Sequence, residues 1–204
     1  MSLVRRMPRI RSHHAALSVC ALLLAAAVFG SNADAAGAAW RVGQPEIRVM
    51  CPMTIGGSFD AKTSALSGSL TANAARPPAY EGTLSVDLRT LDTGISLRNS
   101  HLQEKYLEVD KGPGYDKAIL SEIDLSGVNA DAPDGKGMFT GSLTLHGVKK
   151  PVTGPVEARK AGSGLRVRAS FPVNLSDYNI PEPRYLGVGV KNTVRVEVTF
   201  TATQ

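Results

Sequence analysis

Val194-Arg195-Val196-Glu197-Val198-Thr199-Phe200 sets an apolar side chain at every second position and a charged or polar one between. Successive side chains of a strand point to opposite faces, so Val194, Val196, Val198 and Phe200 share one face while Arg195, Glu197 and Thr199 share the other. One face suits a core and the other suits water. The same rhythm runs upstream through Leu165, Val167, Ala169 and Phe171 against Arg166, Arg168 and Ser170, and through Leu143 and Leu145 against Ser142, Thr144 and His146. It recurs in Leu84, Val86 and Leu88 against Thr83, Ser85, Asp87 and Arg89, and in Ile47, Val49 and Cys51 against Glu46, Arg48 and Met50. Gly, Pro, Asn and Asp clusters separate these stretches, with turns expected at Asp134-Gly135 and Ser163-Gly164. From Trp40 onward the chain therefore reads as all-β and antiparallel, with about eight short strands.

Strands with one apolar face build either a sandwich or a closed barrel, and closure removes the exposed edges. A barrel of the outer membrane turns its apolar face outward and carries aromatic girdles. Here aromatic residues make up only 5% of the chain, so the apolar face is expected to point inward. One stretch departs from the alternation. Ser96–Leu107 (SLRNSHLQEKYL) has helical character, with Ser96 available as a cap, Ser100 and Gln103 as a second capping box, and Leu102 and Tyr106 as an i, i+4 apolar pair. Lys111-Gly112-Pro113-Gly114 stops any continuation.

The first 35 residues are a different kind of sequence. Arg5, Arg6, Arg9 and Arg11 precede an apolar run from Ala15 to Phe29, and Ala33-Asp34-Ala35 supplies an A-x-A cleavage signature. That pattern predicts a signal peptide over 1–35, a mature domain over 36–204, and export to the periplasm. A lipoprotein would need its cysteine after the apolar run, whereas Cys20 lies near the run's start. The chain carries 23 basic and 18 acidic residues; four Arg and one Asp fall in the leader, leaving 19 and 17 and a net charge near +2. The remaining charges are scattered, which argues against a nucleic-acid partner. Cys51 is the one cysteine after residue 35, so stability is expected to come from packing and sheet hydrogen bonds without an internal disulfide.

Several segments, in order, carry a family resemblance. Gly56-Gly57-Ser58-Phe59-Asp60 and Leu66-Ser67-Gly68 come first; Leu91-Asp92-Thr93-Gly94 then leads into Arg98-Asn99-Ser100-His101-Leu102. The most specific piece is Gly141-Ser142-Leu143-Thr144-Leu145-His146-Gly147-Val148-Lys149-Lys150-Pro151-Val152, and Leu175-Ser176-Asp177-Tyr178-Asn179-Ile180 follows. Together these resemble the YceI-like family of secreted bacterial lipid-binding proteins over nearly all of residues 36–204. Asn99 stands where that family has an acidic residue. The resemblance implies a lipocalin-like eight-stranded antiparallel β-barrel with one short helix, an elongated apolar pore that takes a polyprenyl chain or prenyl quinone, and often a homodimer.

An eight-stranded barrel is wide enough either to be filled by its own side chains or to hold one slender ligand. Val49, Val86, Leu88, Leu143, Leu145, Val167, Phe171, Val196 and Val198 are accordingly either core or pore wall. An apolar tube alone suffices to bind a prenyl tail, at roughly 0.8 kcal/mol per buried CH2. Arg98 sits in the first helical turn, against the macrodipole, and calls for an anion: a ligand head group, or Asp92 or Asp177. His101, Asp177 and Tyr178 complete the set of head-group candidates.

No protein cofactor is implied, and the two histidines beyond the leader, His101 and His146, lack metal-site spacing. His146 is expected either to face solvent or to buttress the Gly147 turn through a hydrogen bond to backbone. Ser100 and His101 project about 100° apart on a helix, no G-x-S-x-G elbow occurs, and Glu104 with Glu108 reads as solvated charge. A non-catalytic lipid carrier or store is therefore the expectation. An envelope interaction module docking a membrane redox or lipid-handling protein, and a small hydrolase or isomerase acting on bound lipid, are the alternatives.

Overall fold

A computed structural model describes residues 39–204 apart from 74, 76–78, 127, 129–134 and 186. The expected signal segment, the expected cleavage site at Ala35 and Asp134 of the expected Asp134-Gly135 turn lie outside the described residues. The strands are β1 (Trp40–Pro52), β2 (Ser58–Thr63), β3 (Leu66–Ala72), β4 (Ala79–Asp87), β5 (Lys117–Ser126), β6 (Gly135–Leu145), β7 (Val148–Ala161), β8 (Gly164–Asn174), β9 (Arg184–Tyr185), β10 (Val188–Gly189) and β11 (Thr193–Thr203). Among the described residues one α-helix, α1 (Ser96–His101), stands between β4 and β5.

All barrel pairings are antiparallel, in the order β11-β8-β7-β6-β5-β4-β3-β1, and β11 closes the ring on β1. β2 and β3 act as one interrupted strand: β2 pairs with Ile47–Pro52 of β1 and β3 with its start at Trp40 and Arg41. The ring thus has eight sides and no free edge between β1 and β11. The sequence alternation maps onto it directly: Val49 faces Val196, which faces Phe171, and Ile47 faces Val198, which faces Ala169.

Two strands change parity part-way. In β1 the pairing slips between Gly43 and Glu46, where Gln44 adopts φ 46°, so the inward set passes from Trp40 and Val42 to Ile47 and Val49. In β5 the slip lies between Ser121 and Asp124, where Glu122 adopts φ 54°, so Ala118 and Leu120 hand over to Ile123 and Leu125. Each is a β-bulge, one extra residue that bends its strand and helps the sheet curl. Glu122 is held by Lys149 at 2.6 Å and Ser142 at 2.5 Å, which keep its carboxyl below the usual carboxylate range.

The backbones of neighbouring strands approach closely at Gly154, opposite Phe139 in the β6–β7 register. A Cβ there would meet the Ser170 carbonyl oxygen at 2.0 Å and Phe171 Cβ at 3.0 Å. The bare glycine lets the Phe139 and Phe171 rings meet edge-on, with centroids 5.5 Å apart.

The helical segment is shorter and less regular than its sequence suggests. Six α-helical residues pass into a π-turn, Leu102–Tyr106, closed by Leu107 N–H donating to Leu102 O at 2.9 Å. Ser96 is not the cap; Ile95 holds that position without a side-chain bond. The entry is fixed instead by Asn99, whose amide donates to Asp92 Oδ1 at 2.7 Å and accepts from Thr93 N–H at 2.8 Å. That bond, with one from Gly94 N–H, holds the Asp92 carboxyl below its ordinary range. The Ser100–Gln103 capping box does not form, because Gln103 Nε2 donates to Arg89 O. Of the expected turns, the β7–β8 hairpin turns on Gly162-Ser163.

The candidate ligand-binding pore

The barrel holds a long cavity of about 760 Å³. Val49, Val86, Leu88, Leu143, Leu145, Val167, Phe171, Val196 and Val198 all line it. Protein interiors are close-packed and hold few voids larger than a water, so whether these residues touch one another or face space decides between core and pore wall. Leu88, Leu143, Leu145 and Phe171 are buried, but Val49, Val86, Val167, Val196 and Val198 remain half-buried although they point inward. Their exposure is to the lumen. Val49, Val167, Val196 and Val198 border two packed clusters at once, one built on Phe139, Phe171 and Tyr178 and one on Ile47, Leu84 and Phe200. The waist of the barrel is hollow and lined by short aliphatic side chains.

Polar groups gather at the ends. At the far end stand Arg41 and Gln204; at the helix end stand Thr93, Arg98, His101 and Arg184. Three segments frame the helix end: α1, the turn between β1 and β2, and the β9–β10 hairpin. The turn and hairpin are joined by a Met53–Val190 bridge, by Thr54 N–H to Gly189 O at 2.7 Å, and by Gly189 N–H to Thr54 Oγ1 at 2.9 Å. Tyr106 pins the hairpin to the helical segment, accepting from Arg184 N–H at 3.1 Å and donating to Arg184 O at 3.3 Å.

Of the head-group candidates, the structure brings Arg98 and His101 together at this mouth, three residues apart on one helical face. Arg98 makes no ion pair to Asp92 or Asp177. Its guanidinium lies over the Phe59 ring, 4.1 Å from the centroid, a cation–π contact that needs no carboxylate. Asp92 is engaged by Asn99, and Asp177 accepts from Asn174 Nδ2 at 3.1 Å. Asp177 and Tyr178 do not line the cavity. Tyr178 sits in the 3-10 turn Leu175–Tyr178 with its ring buried in the core.

Cys51 also faces the lumen, and burial, aided by nearby Asp60 and opposed by Arg98, pushes its thiol up to about 11. His146 does not face solvent as one strand-phase reading predicts. It lies past the end of β6 at φ 51°, where with Gly147 at φ 74° it forms the hairpin turn, and its ring is buried. Nδ1 contacts Tyr178 O at 2.9 Å, and Glu108, rather than being solvated, meets Nε2 at 3.0 Å. Ser100 is exposed and outside the cavity lining. Among the described residues no group of three His, Cys, Asp or Glu side chains is placed to hold a metal.

A closed eight-stranded antiparallel barrel with a short helix over one end and an apolar lumen defines a lipocalin-like protein. The YceI-like domain matches residues 34–202, and the chain belongs to that family. A UPF0312 protein of Enterobacter sp. (strain 638) is 33% identical over 122 residues, 55% of this chain and 58% of that protein. A UPF0312 protein of Pseudomonas syringae pv. tomato is 29% identical over 147 residues, 67% of this chain and 69% of that protein. The chain spans about half the length of the curated relatives it matches first, 58% of the Enterobacter protein and 46% of a Pseudomonas aeruginosa one. Among solved structures, BcnA of Burkholderia cenocepacia superposes with a TM-score of 0.60 at 20% identity, covering 77% of this chain and 96% of that one. A polyisoprenoid binding domain from Saccharophagus degradans, implicated in plant cell wall breakdown, gives 0.57 at 14% identity over 80% and 97%. At these identities both likenesses speak to fold.

Proposed function

We propose that the protein is a non-catalytic carrier or store for a long isoprenoid-type lipid, a polyprenyl chain or prenyl quinone, held inside the barrel. The observation that carries this reading is the hollow waist, where five inward valines are half-buried and border a cavity of about 760 Å³. A largely apolar cavity of this kind gains free energy by taking an apolar guest, about 0.8 kcal/mol for each CH2 removed from water. The polar ends set the guest's direction: Arg98 and His101 at the mouth receive its polar end and the aliphatic waist receives the tail. The polyisoprenoid-binding Saccharophagus domain with the same fold supports the ligand class. The N-terminal pattern of basic residues, apolar run and Ala33-Asp34-Ala35 supports delivery to the periplasm, where a membrane redox or lipid-handling protein would supply or receive the lipid.

The test is native mass spectrometry of protein purified from a bacterial envelope, followed by solvent extraction and identification of the released lipid. One prenyl molecule per chain is expected. A bare polypeptide mass that also takes up no added prenyl quinone or polyprenyl phosphate overturns the reading.

A further inference from the structure

Five large apolar side chains stand exposed among the described residues: Ile55, Ile95, Leu97, Met138 and Val188. Four of them share one location. Ile55 is at the tip of the β1–β2 turn, Ile95 and Leu97 open α1, and Val188 is in the β9–β10 hairpin, the three segments that frame the mouth; Ile95, Leu97 and Val188 also line the cavity. Apolar side chains therefore continue from the outer rim into the lumen, alongside the polar groups Thr93, Arg98, His101 and Arg184 at the mouth.

We propose that this rim inserts into the surface of a lipid bilayer, so that a prenyl chain passes between membrane and pore without crossing water. The inference rests on the lipid-binding reading above and names the partner of that site. Three observations favour a bilayer over a protein or a second copy of this chain. The exposed parts of the four side chains offer on the order of 300 Å² of apolar area, against roughly 800 Å² per partner in a stable protein interface. They project from three separate loops around an opening, a shape that suits shallow insertion better than a flat contact. The turn carrying Ile55, 67% exposed, has no charged residue between Met53 and Gly57, while Arg98, and Arg184 in its 3.1 Å pair with Glu182, supply cations at the mouth that suit lipid head groups.

The experiment uses lipid-stripped protein in flotation with vesicles of phosphatidylethanolamine and phosphatidylglycerol, comparing the wild type with Ile55→Asp and, as an outer-wall control, Met138→Asp. Ile55 lies outside the cavity lining, so uptake of a detergent-dispersed prenyl quinone should be unchanged in Ile55→Asp. Its partitioning onto vesicles should fall about tenfold or more, and its extraction of the same quinone from vesicles should slow in parallel, while Met138→Asp matches the wild type. Vesicle binding and extraction by Ile55→Asp equal to wild type would overturn the proposal. So would a wild type that ignores vesicles but forms a dimer that Ile55→Asp dissociates. Loss of detergent uptake in every form, with Ile55-dependent flotation intact, would strike the pore reading and leave rim docking standing.

Discussion

His146 and Glu108 meet with Nε2 and Oε2 3.0 Å apart, each from a residue in left-handed backbone, at φ 51° and 48°. Through this contact and the His146 Nδ1 contact to Tyr178 O, the β6–β7 turn ties the loop after the helical segment to the 3-10 turn after β8. Tyr115 closes the cluster edge-on, its ring centroid 4.7 Å from that of His146.

Replacing His146 by Phe keeps the ring but leaves the Tyr178 carbonyl without its side-chain partner, at a cost of about 1–3 kcal/mol. Urea titration should show a lower midpoint with an unchanged slope. A midpoint equal to wild type would mean that the cluster does not brace this end of the barrel.

The Glu108 carboxyl is held below its ordinary range, chiefly by the Lys111 ammonium at 2.9 Å, with desolvation opposing and His146 adding to it. A depressed carboxyl stabilises the fold above its unfolded pKa and loses that contribution as pH falls through the folded value. Glu108→Gln should therefore be less stable than wild type at about pH 7, the difference closing below about pH 4. A difference that persists unchanged into acid would assign the effect to something other than ionisation.

Val198 faces the lumen at its waist, so Val198→Trp should place an indole in the space proposed for the prenyl tail. Co-purifying lipid, measured after solvent extraction, should fall to about a tenth of the wild-type level or less, with the melting temperature equal or higher. Wild-type lipid content in this variant would place the ligand elsewhere.

Arg98 stacked on Phe59 is the cation at the mouth best placed for an anionic end group. Arg98→Leu should weaken a polyprenyl phosphate about 10- to 100-fold, the range of a lost charge-assisted hydrogen bond, while a polyprenol of equal length changes little. Equal weakening of both in competition binding would reduce Arg98 to a prop for Phe59.

With its thiol pushed up to about 11, Cys51 is almost wholly protonated near neutrality. Alkylation by a small neutral reagent at about pH 8 should run roughly a hundredfold slower than for an ordinary thiol. It should slow further when a prenyl chain fills the lumen, making the reaction a reporter of occupancy. A fast, ligand-insensitive reaction would place Cys51 outside the pore.

The barrel was legible in the sequence where apolar and polar side chains alternate without interruption. β8, β11 and the second half of β1 keep strict parity, and their inward residues can be read directly. β5 cannot be read so, because Glu122 shifts its apolar set from even to odd positions, and the start of β1 is masked in the same way by Gln44. His146 escapes strand parity because it begins the turn. Arg98 and His101 reach the mouth by helical spacing, whereas Asp177 and Tyr178, four and five residues beyond Val173, are turned aside by a 3-10 turn that local sequence does not advertise. The rim residues left only a faint trace: Ile55 beside Gly56-Gly57, and Val188 between Gly187 and Gly189, are apolar side chains set in turns, where a polar residue is the usual choice.

The seam between β1 and β11 brings Arg41 opposite Thr203, so the first strand of the ring waits for the last. Until residues near 200 emerge, β1 and β8 present unpaired backbone to any neighbouring chain, a long-range closure of the kind that slows folding and invites aggregation. The lumen acquires its last wall in the same step. The lumen is thus enclosed only once β11 is in place, and a chain truncated before β11 would leave an open, sticky half-pipe.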